Sequence, residues 1–411
     1  MLKVFLKKWL LLSGLILFTF LIGLKTYLDI FFYLFYFLLT LLILSLLYLA
    51  LQYFSARLYL KRIHPEKVNE DDSIDLEVKL KNEGFLPILN MVLEDNLTCA
   101  EEGLRRKNRL IEFIKPRSSI TLRYNCLCYL RGYYSIGPFS AYFFDPFGLL
   151  FFKKTYPVLS HLYVYPKTFK VRRFPSLVKG NLPWFGIGSS RSFGDEEEFF
   201  GTREYKSGDS IKRIHWLSTA RKHTLIVKQF QRQSYFSATI LFNLEKEKNF
   251  GEGKEAVAEY IIKIAASLSK YFLAKGISVE IIAQGQELMH IPDNKGAEHL
   301  ENILKALATA KAESKIDIGE LFGNFSHQIS DNSNLIVIML DRDWEYLQSM
   351  IPMEKRNISL IPLILVSSTF LYSFEKQEVE KDVKLKLSEA YNFAPILISR
   401  GDNLEEVFLK I

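Results

Sequence analysis

Cysteine is nearly absent: 411 residues hold three, Cys99, Cys126 and Cys128. An odd count, with two of the three placed on the same face of one strand, excludes a disulfide framework and leaves small buried apolar residues as their role. Also lacking is a Gly-x-x-x-x-Gly-Lys-Ser/Thr run behind an apolar strand; Gly23, Gly180 and Gly186-Ile187-Gly188 stand in other contexts. Without a loop to cradle phosphates, the chain is not expected to hydrolyse nucleotides itself. His215 and His223 each lack a nucleophile or metal companion at fixed spacing, so no catalytic cluster is legible. The expectation is a non-enzyme with no cofactor and no small-molecule substrate.

Charge is absent from two long stretches, and there the sequence speaks most clearly. Trp9 to Leu24 is 16 residues without a charge and Ile30 to Phe54 is 25, against the roughly 20 needed to cross a hydrocarbon core. Phe is crowded here, eight of the chain's 33 falling within the first 54 residues. No small-residue cleavage site precedes Lys25-Thr26-Tyr27-Leu28-Asp29, so a retained transmembrane hairpin over 1–57 is expected rather than a signal peptide. Lys3, Lys7 and Lys8 flank its entry and Arg57, Lys61 and Arg62 its exit. Cationic flanks stay inside, which places the N-terminus and the following domains in the cytoplasm of a multi-pass inner-membrane protein.

After Glu66 the hydrophobic period changes to two. Ile74, Leu76, Val78 and Leu80 alternate with Asp75, Glu77, Lys79 and Lys81, and a second alternating run takes in Ile120, Leu122, Tyr124, Cys126, Cys128 and Leu130. Punctuated by Asn82-Glu83-Gly84, Arg131-Gly132 and Asp145-Pro146-Phe147-Gly148, these short strands predict a β-sandwich over 58–166, acting as a spacer and interaction surface above the bilayer.

The segment 167–234 is charged. Between Arg172 and Arg232 there are 12 Lys or Arg and 6 Asp or Glu, so the local excess of +6 nearly equals the net +7 of the whole chain. The acids bunch at Asp195-Glu196-Glu197-Glu198, which makes the segment bipolar, whereas nucleic acid requires a uniformly positive face. Gly208-Asp209-Ser210 predicts a turn and helix cap, with Ile211, Ile214, Leu217 and Ser218 on one side of a short helix.

The run Glu198-Phe199-Phe200-Gly201-Thr202-Arg203-Glu204-Tyr205-Lys206-Ser207-Gly208-Asp209, with Arg213-Ile214-His215-Trp216 and Ala220-Arg221, resembles the signature of the bacterial domain-of-unknown-function 58 family. The likeness extends to Asn82-Glu83-Gly84 with Leu86-Pro87, to Arg131-Gly132-Tyr133-Tyr134 through Gly137-Pro138, and to Asp145-Pro146-Phe147-Gly148-Leu149. It departs at Ser207, where the family commonly has proline. Two roles are open for the signature. Arg203, Glu204, Asp209, Arg213 and Arg221 form a charge network that pins the segment to the following domain, or Arg203, Arg213, His215 and Arg221 face outward to hold an anionic group or an acidic partner surface. Glu198, Tyr205, Gly208 and Trp216 complete the candidate partner-binding set.

Beyond Tyr235 strand and helix patterns alternate. Strands are predicted at Ala238–Leu244, Ile277–Ala283, Leu335–Leu340, Ser359–Val366 and Pro395–Ser399, and an amphipathic helix through Val257, Tyr260, Ile261, Ile264, Leu268 and Phe272. Helices are also expected at His299–Ala310 and near Glu320–Ile329 and Trp344–Met350. Alternation predicts a parallel sheet covered on both faces over 235–411. The resemblance implies a von Willebrand factor type A-like (Rossmann-like) domain, in which an Asp-x-Ser-x-Ser motif after the first strand binds a divalent cation. Here that position reads Asn243-Leu244-Glu245-Lys246-Glu247, without the aspartate or the serines, and Lys246 adds positive charge. Metal binding is not expected; Asn243, Glu245, Glu247 and Asp341, or Asp343, are the residues that would supply oxygens.

These readings converge on a membrane-tethered adaptor that presents a protein-binding face. The resemblance implies a MoxR-type AAA+ ATPase as partner, since the two are commonly neighbours. A membrane-bound metal-dependent hydrolase using Asp209 or His215, and a self-assembling envelope protein, are the alternatives.

Overall fold

The computed structural model describes residues 2–148, 150–172, 174, 193–206, 209, 211, 214–231, 237–331, 333–371 and 396–409. Two compact units divide the chain, Met1–Tyr165 and Pro166–Ile411.

In the first unit the charge-free stretches form two helices, α1 (Leu2–Thr26) and α2 (Asp29–Ser55). The chain reverses at Tyr27, whose φ of 54° is left-handed and whose N–H donates to Gly23 O at 3.0 Å. Phe20 and Phe35 meet across the hairpin, ring centroids 5.1 Å apart. Among the described residues only α2 is long and apolar enough to cross a membrane, with a mean hydropathy of 2.6; the apolar part of α1, Leu10–Thr26, is shorter. The two-span expectation thus reduces to one helix that meets the length criterion.

The β module follows as β1 (Leu58–Ile63), β2 (Lys67–Asn69), β3 (Ser73–Asn82), β4 (Ile88–Asn96), β5 (Arg106–Ile114), β6 (Ser119–Leu127), β7 (Gly132–Ile136), β8 (Phe139–Phe144), β9 (Phe151–Tyr156) and β10 (Ser160–Tyr165). They assemble as sheets β1-β3-β6, β2-β10-β7 and β5-β4-β8-β9. The period-two pattern of β3 buries Ile74, Leu76, Val78 and Leu80 and leaves Asp75, Lys79 and Lys81 in water. All three sheets contribute to one core, in which Leu60, Met91, Phe143, Ile136 and Leu162 are buried together. Cys99, Cys126 and Cys128 are free and buried in it. The hydrogen bond from Cys126 pulls the Cys99 thiol down, but the bond to Cys128 and burial outweigh it and raise it to about 12, well into the unreactive range.

Arg62, read from sequence as a membrane-flanking cation, is instead buried. Its guanidinium bonds both Asp95 oxygens, Ile136 O at 3.0 Å and Ser160 Oγ at 2.9 Å, and lies over the Phe139 ring at 4.2 Å. Tyr124 donates to the same Asp95 carboxylate. One ion pair thereby links β1, β4, β6, β7, β8 and β10.

Two sequence motifs fasten the module to α2. In Asn82-Glu83-Gly84 the Asn82 side chain accepts from Gly84 N and donates to Leu86 O, both at 2.9 Å, while Glu83 N donates to Arg57 O at 2.7 Å. A Cβ at Gly84 would lie 2.2 Å from Ser55 O, so only glycine permits this approach to the helix end. Gln52 Nε2 then donates to Pro87 O at 2.6 Å. In the second motif Asp145 accepts from Ser45 Oγ at 2.7 Å, a buried bond across 100 residues.

The second unit opens with residues 166–172 and Phe174 against the α/β domain, where Phe169 N donates to Ser267 Oγ at 3.0 Å and Phe174 meets Phe272 and Phe408. A two-stranded sheet, β11 (Phe193–Glu204) with β12 (Ile226–Gln231), flanks helix α3 (Trp216–Lys222). Then come β13 (Ser237–Asn243), α4 (Val257–Ala274), β14 (Ser278–Gln284), β15 (Leu288–Asn294), α5 (Ala297–Thr309), α6 (Ile318–Phe325), β16 (Asn334–Leu340), α7 (Leu347–Met350), β17 (Ser359–Leu365), α8 (Ser367–Leu371) and β18 (Ile396–Ile398). The six-stranded sheet has the order β15-β14-β13-β16-β17-β18. The predicted all-parallel sheet is corrected at one edge: β15 runs antiparallel to β14 in a tight hairpin turning at Gly285 and Glu287. β13 and β16 are buried at every position, as strands covered on both faces must be.

Candidate partner-docking site

The signature lies on the β11–β12 hairpin. Arg203, opposite Val227, forks onto Asp209 with two bonds of 2.6 Å and also donates to Glu204 O at 2.9 Å. Asp209 accepts in addition from Lys206 N at 2.8 Å. Arg203 and Asp209 are thus joined by a bidentate charge pair within the segment itself, and Arg203 is not an open cation. The Arg203 hydrogen bonds first, and the Lys206 N–H second, hold the Asp209 carboxyl down at about 2. Because its native value is depressed, the pair's contribution is present above the ordinary carboxylate range and is lost as pH falls toward 2. A carboxyl ¹³C titration of Asp209 is expected to show a midpoint near 2, returning toward an ordinary aspartate in Arg203→Gln; an ordinary midpoint in the unsubstituted chain would contradict the pairing.

The short helix is shorter than the pattern implied. Ile214 does not lie on it: it forms an isolated bridge with Val227 and is buried, and α3 starts only at Trp216. His215 is the cap. Its Nδ1 accepts from Ser218 N at 3.2 Å and sits 2.7 Å from Ser218 Oγ, its carbonyl takes Thr219 N at 3.0 Å, and its own N–H donates to Ile226 O at 2.7 Å. This imidazole nitrogen caps the start of α3. Tyr205 N pairs with Leu225 O at 2.8 Å. Gly208 and Arg213 lie outside the described residues, as does the side chain of Glu198.

Exposed apolar side chains stand among polar ones here. Ile211, Trp216 and Leu217 are exposed to 70%, 65% and 65%, and Leu225 is exposed as well. Arg221 and Lys222 are exposed in the last turn of α3. Three large apolar side chains within seven residues are thus left in water, with cations close by in sequence. Of these, sequence reasoning included Trp216 and Arg221. It placed Ile211 and Leu217 on one side of a short helix, and the signal it lacked was the Ile214–Val227 bridge that precedes α3.

The strand-end residues of the α/β domain form a second cluster. The chain turns left from β13 to β14 and right to β16, so the carboxyl ends of β13 and β16 border the switch point where such sheets bind ligands. There Lys248 Nζ lies 2.6 Å from Asp343 Oδ1 and 2.8 Å from Glu245 Oε2. Asn243 Nδ2 donates to Ile316 O at 2.6 Å and to Glu245 at 3.1 Å. Of the remaining candidates, Glu247 is exposed, and Asp341 is separately engaged by Ser367 N at 3.0 Å. Of the four metal candidates Asn243 and Glu245 are brought together while Glu247 and Asp341 are not shown to join them, and an ammonium, from Lys248 rather than Lys246, lies between the carboxylates of Glu245 and Asp343. Among the described residues no group of three or more His, Cys, Asp or Glu could hold a metal ion. The adjoining cleft is about 20 Å³, room for about one water and not for a substrate. Burial first, and against it the Lys248 hydrogen bond, leaves Asp343 and Glu245 above the ordinary carboxylate values.

Residues 201–358 match the family model described as protein of unknown function DUF58. The chain is 24% identical over 251 residues to the uncharacterized protein YeaD of Bacillus subtilis (strain 168); the match takes in 59% of this chain and 60% of that relative's length. Two solved structures of the CARDB domain of the PF1109 protein of Pyrococcus furiosus, one in complex with di-metal ions, are 16% identical. They cover 27% and 26% of this chain and 94% and 93% of theirs, at TM-scores of 0.20 and 0.19, too low to define a fold.

Proposed function

We propose, from the premise that this chain is a DUF58-family protein, that it is a membrane-anchored, non-enzymatic adaptor whose β11–α3–β12 hairpin docks a protein partner. The observation that carries this reading is the exposure of Ile211, Trp216 and Leu217 on a segment that holds the Arg203–Asp209 pair. A surface spent on folding would bury such residues, and one spent on catalysis would gather polar groups around a cavity. The family resemblance points to a MoxR-type AAA+ ATPase as that partner. In this reading α2 spans the inner membrane with α1 as its returning leg, and the cations Arg57 and Lys61 keep the rest of the chain in the cytoplasm. The β module serves as an Ig-like spacer, and the α/β unit as a von Willebrand factor type A-like platform in which Lys248 stands where other such domains hold a cation.

A photo-crosslinking side chain placed at Trp216 in the full chain, in native membranes, is expected to capture the ATPase. Trp216→Ala and Leu217→Asp are each expected to weaken that association about tenfold or more, the usual weight of an aromatic or aliphatic anchor. Capture of no ATPase, or affinity unchanged in both variants, overturns the reading.

A further inference from the structure

The β8–β9 hairpin runs further along α2 than a spacer needs. One residue pair in from its turn Phe152 meets Tyr53 with ring centroids 5.4 Å apart, and at the turn itself Asp145 accepts from Ser45. From Tyr53 to Ser45 is eight residues, about 12 Å of helix directed back toward the apolar centre of α2. A hydrocarbon core of about 30 Å takes about 20 residues. Counted from Ile30 it ends near Leu49, which leaves Ser45 about 6 Å inside the boundary. The tip bonded to Ser45 shares its depth.

The chemistry of the tip suits that depth. From Phe139 to Phe152 the sole charged residue is Asp145, and it is buried. Its carboxylate accepts from Phe147 N at 3.2 Å and Leu150 N at 2.7 Å as well as from Ser45, and its N–H donates to Leu150 O at 3.2 Å. The described N–H groups of the turn, those of Asp145, Phe147, Gly148 and Leu150, are thereby satisfied internally, which hydrocarbon demands and water does not. Pro146 and Phe147 are exposed, Phe147 with 55% of its surface, and Ile43, Leu44 and Leu47, which flank Ser45 in the sequence of α2, are exposed as well. Cations return only behind the tip, at Lys153, which lies 5.4 Å over the Tyr142 ring.

We propose that the β8–β9 tip is a second membrane anchor: Pro146 and Phe147 insert among the acyl chains of the leaflet on the β module's side, and Lys153 reaches the phosphates of its headgroups. The aromatic body below a cationic ring is the arrangement that interfacial anchors use. Lipid is the occupant favoured over a second protein because the tip is bonded to α2 at Ser45, a residue flanked in sequence by the exposed apolar Ile43, Leu44 and Leu47. The anchor fixes the module's tilt as well as its height. It rests on the reading of α2 as a spanning helix.

The test uses the full chain in phosphatidylcholine–phosphatidylglycerol vesicles, with a nitroxide at Phe147→Cys and power saturation against oxygen and a water-soluble nickel chelate. Probes at Phe37→Cys in α2 and Glu112→Cys on an exposed position of β5 mark lipid and water, and the unsubstituted chain measures labelling of the buried native thiols. The oxygen-to-nickel accessibility ratio at Phe147 is expected to exceed that at Glu112 several-fold and to approach that at Phe37. A ratio at Phe147 equal to that at Glu112, with Phe37 in lipid, overturns the anchor and leaves the spanning helix standing. A water-exposed Phe37 overturns the spanning reading and the anchor with it.

Discussion

Replacing Asp95 with alanine is expected to destabilise the β module by about 3–5 kcal/mol, the usual cost of removing one member of a buried ion pair. The Arg62 side chain is fully shielded and that of Asp95 nearly so. Without the carboxylate, Arg62 keeps Ile136 O and Ser160 Oγ but carries an uncompensated charge in the core, and the Tyr124 hydroxyl loses its acceptor. Burial, then the Asp95 charge, pushes Tyr124 up, so that hydroxyl stays a donor throughout the range in which proteins fold. The double variant Arg62→Met with Asp95→Leu removes both charges and is expected to recover more than half of the loss, because the penalty of the single variant is largely desolvation of the orphan. Hydrogen exchange of β3, β4 and β6 peptides across a denaturant series, in the detergent-solubilised chain, reads the local stability. A single variant within about 1 kcal/mol of the parent would show that water reaches Arg62.

Lys248→Met is expected to cost the α/β unit about 2–4 kcal/mol, between the values for exposed and fully buried pairs because the lysine is 25% exposed and Asp343 only 7%. The loss depends on pH in a defined direction. Burial already raises Asp343 and Glu245, and Lys248 opposes it through hydrogen bonds. Without the ammonium both rise further. A carboxyl whose native value exceeds its unfolded value contributes stability below the ordinary carboxylate range and loses it as pH climbs through the native value. Lys248 itself is lowered by burial, more than offset by bonds from Asp343 and Glu245 that raise it, so in the parent its contribution persists to alkaline pH. The deficit of the variant should therefore be small in mild acid and complete at neutral pH. The exposed Lys246→Met serves as control, with a change within about 0.5 kcal/mol. Chemical denaturation at the two pH values measures both, and a deficit that grows toward acid would refute the assignment.

These cases show where sequence reasoning stops. Lys246 drew attention because it sits inside the five-residue stretch that a metal motif would occupy, yet the turn after β13 sends Lys248 between the carboxylates. Arg62 looked like a membrane-flanking cation because only its neighbours in sequence were visible; Asp95 is 33 residues away and enters through β4. Ile211 and Leu217 carried a helical spacing that the Ile214–Val227 bridge cancels. Asp145-Pro146-Phe147-Gly148 read as a turn, which it is, but its bond to Ser45 spans 100 residues and has no local signature.

What the sequence determined by itself is everything that follows from periodicity and length. This comprises the apolar helix over Asp29–Ser55, the alternating strand over Ser73–Asn82, the amphipathic helix over Val257–Ala274 and the buried strands of the α/β sheet. These depend on where each residue falls relative to its near neighbours, and water or lipid acts on that pattern directly. Only the tertiary structure decided which charges are partnered, which apolar residues stay exposed and how the β module grips α2. Those outcomes depend on contacts between residues tens of positions apart, whose partners are chosen by packing and desolvation and leave no periodic trace in the chain.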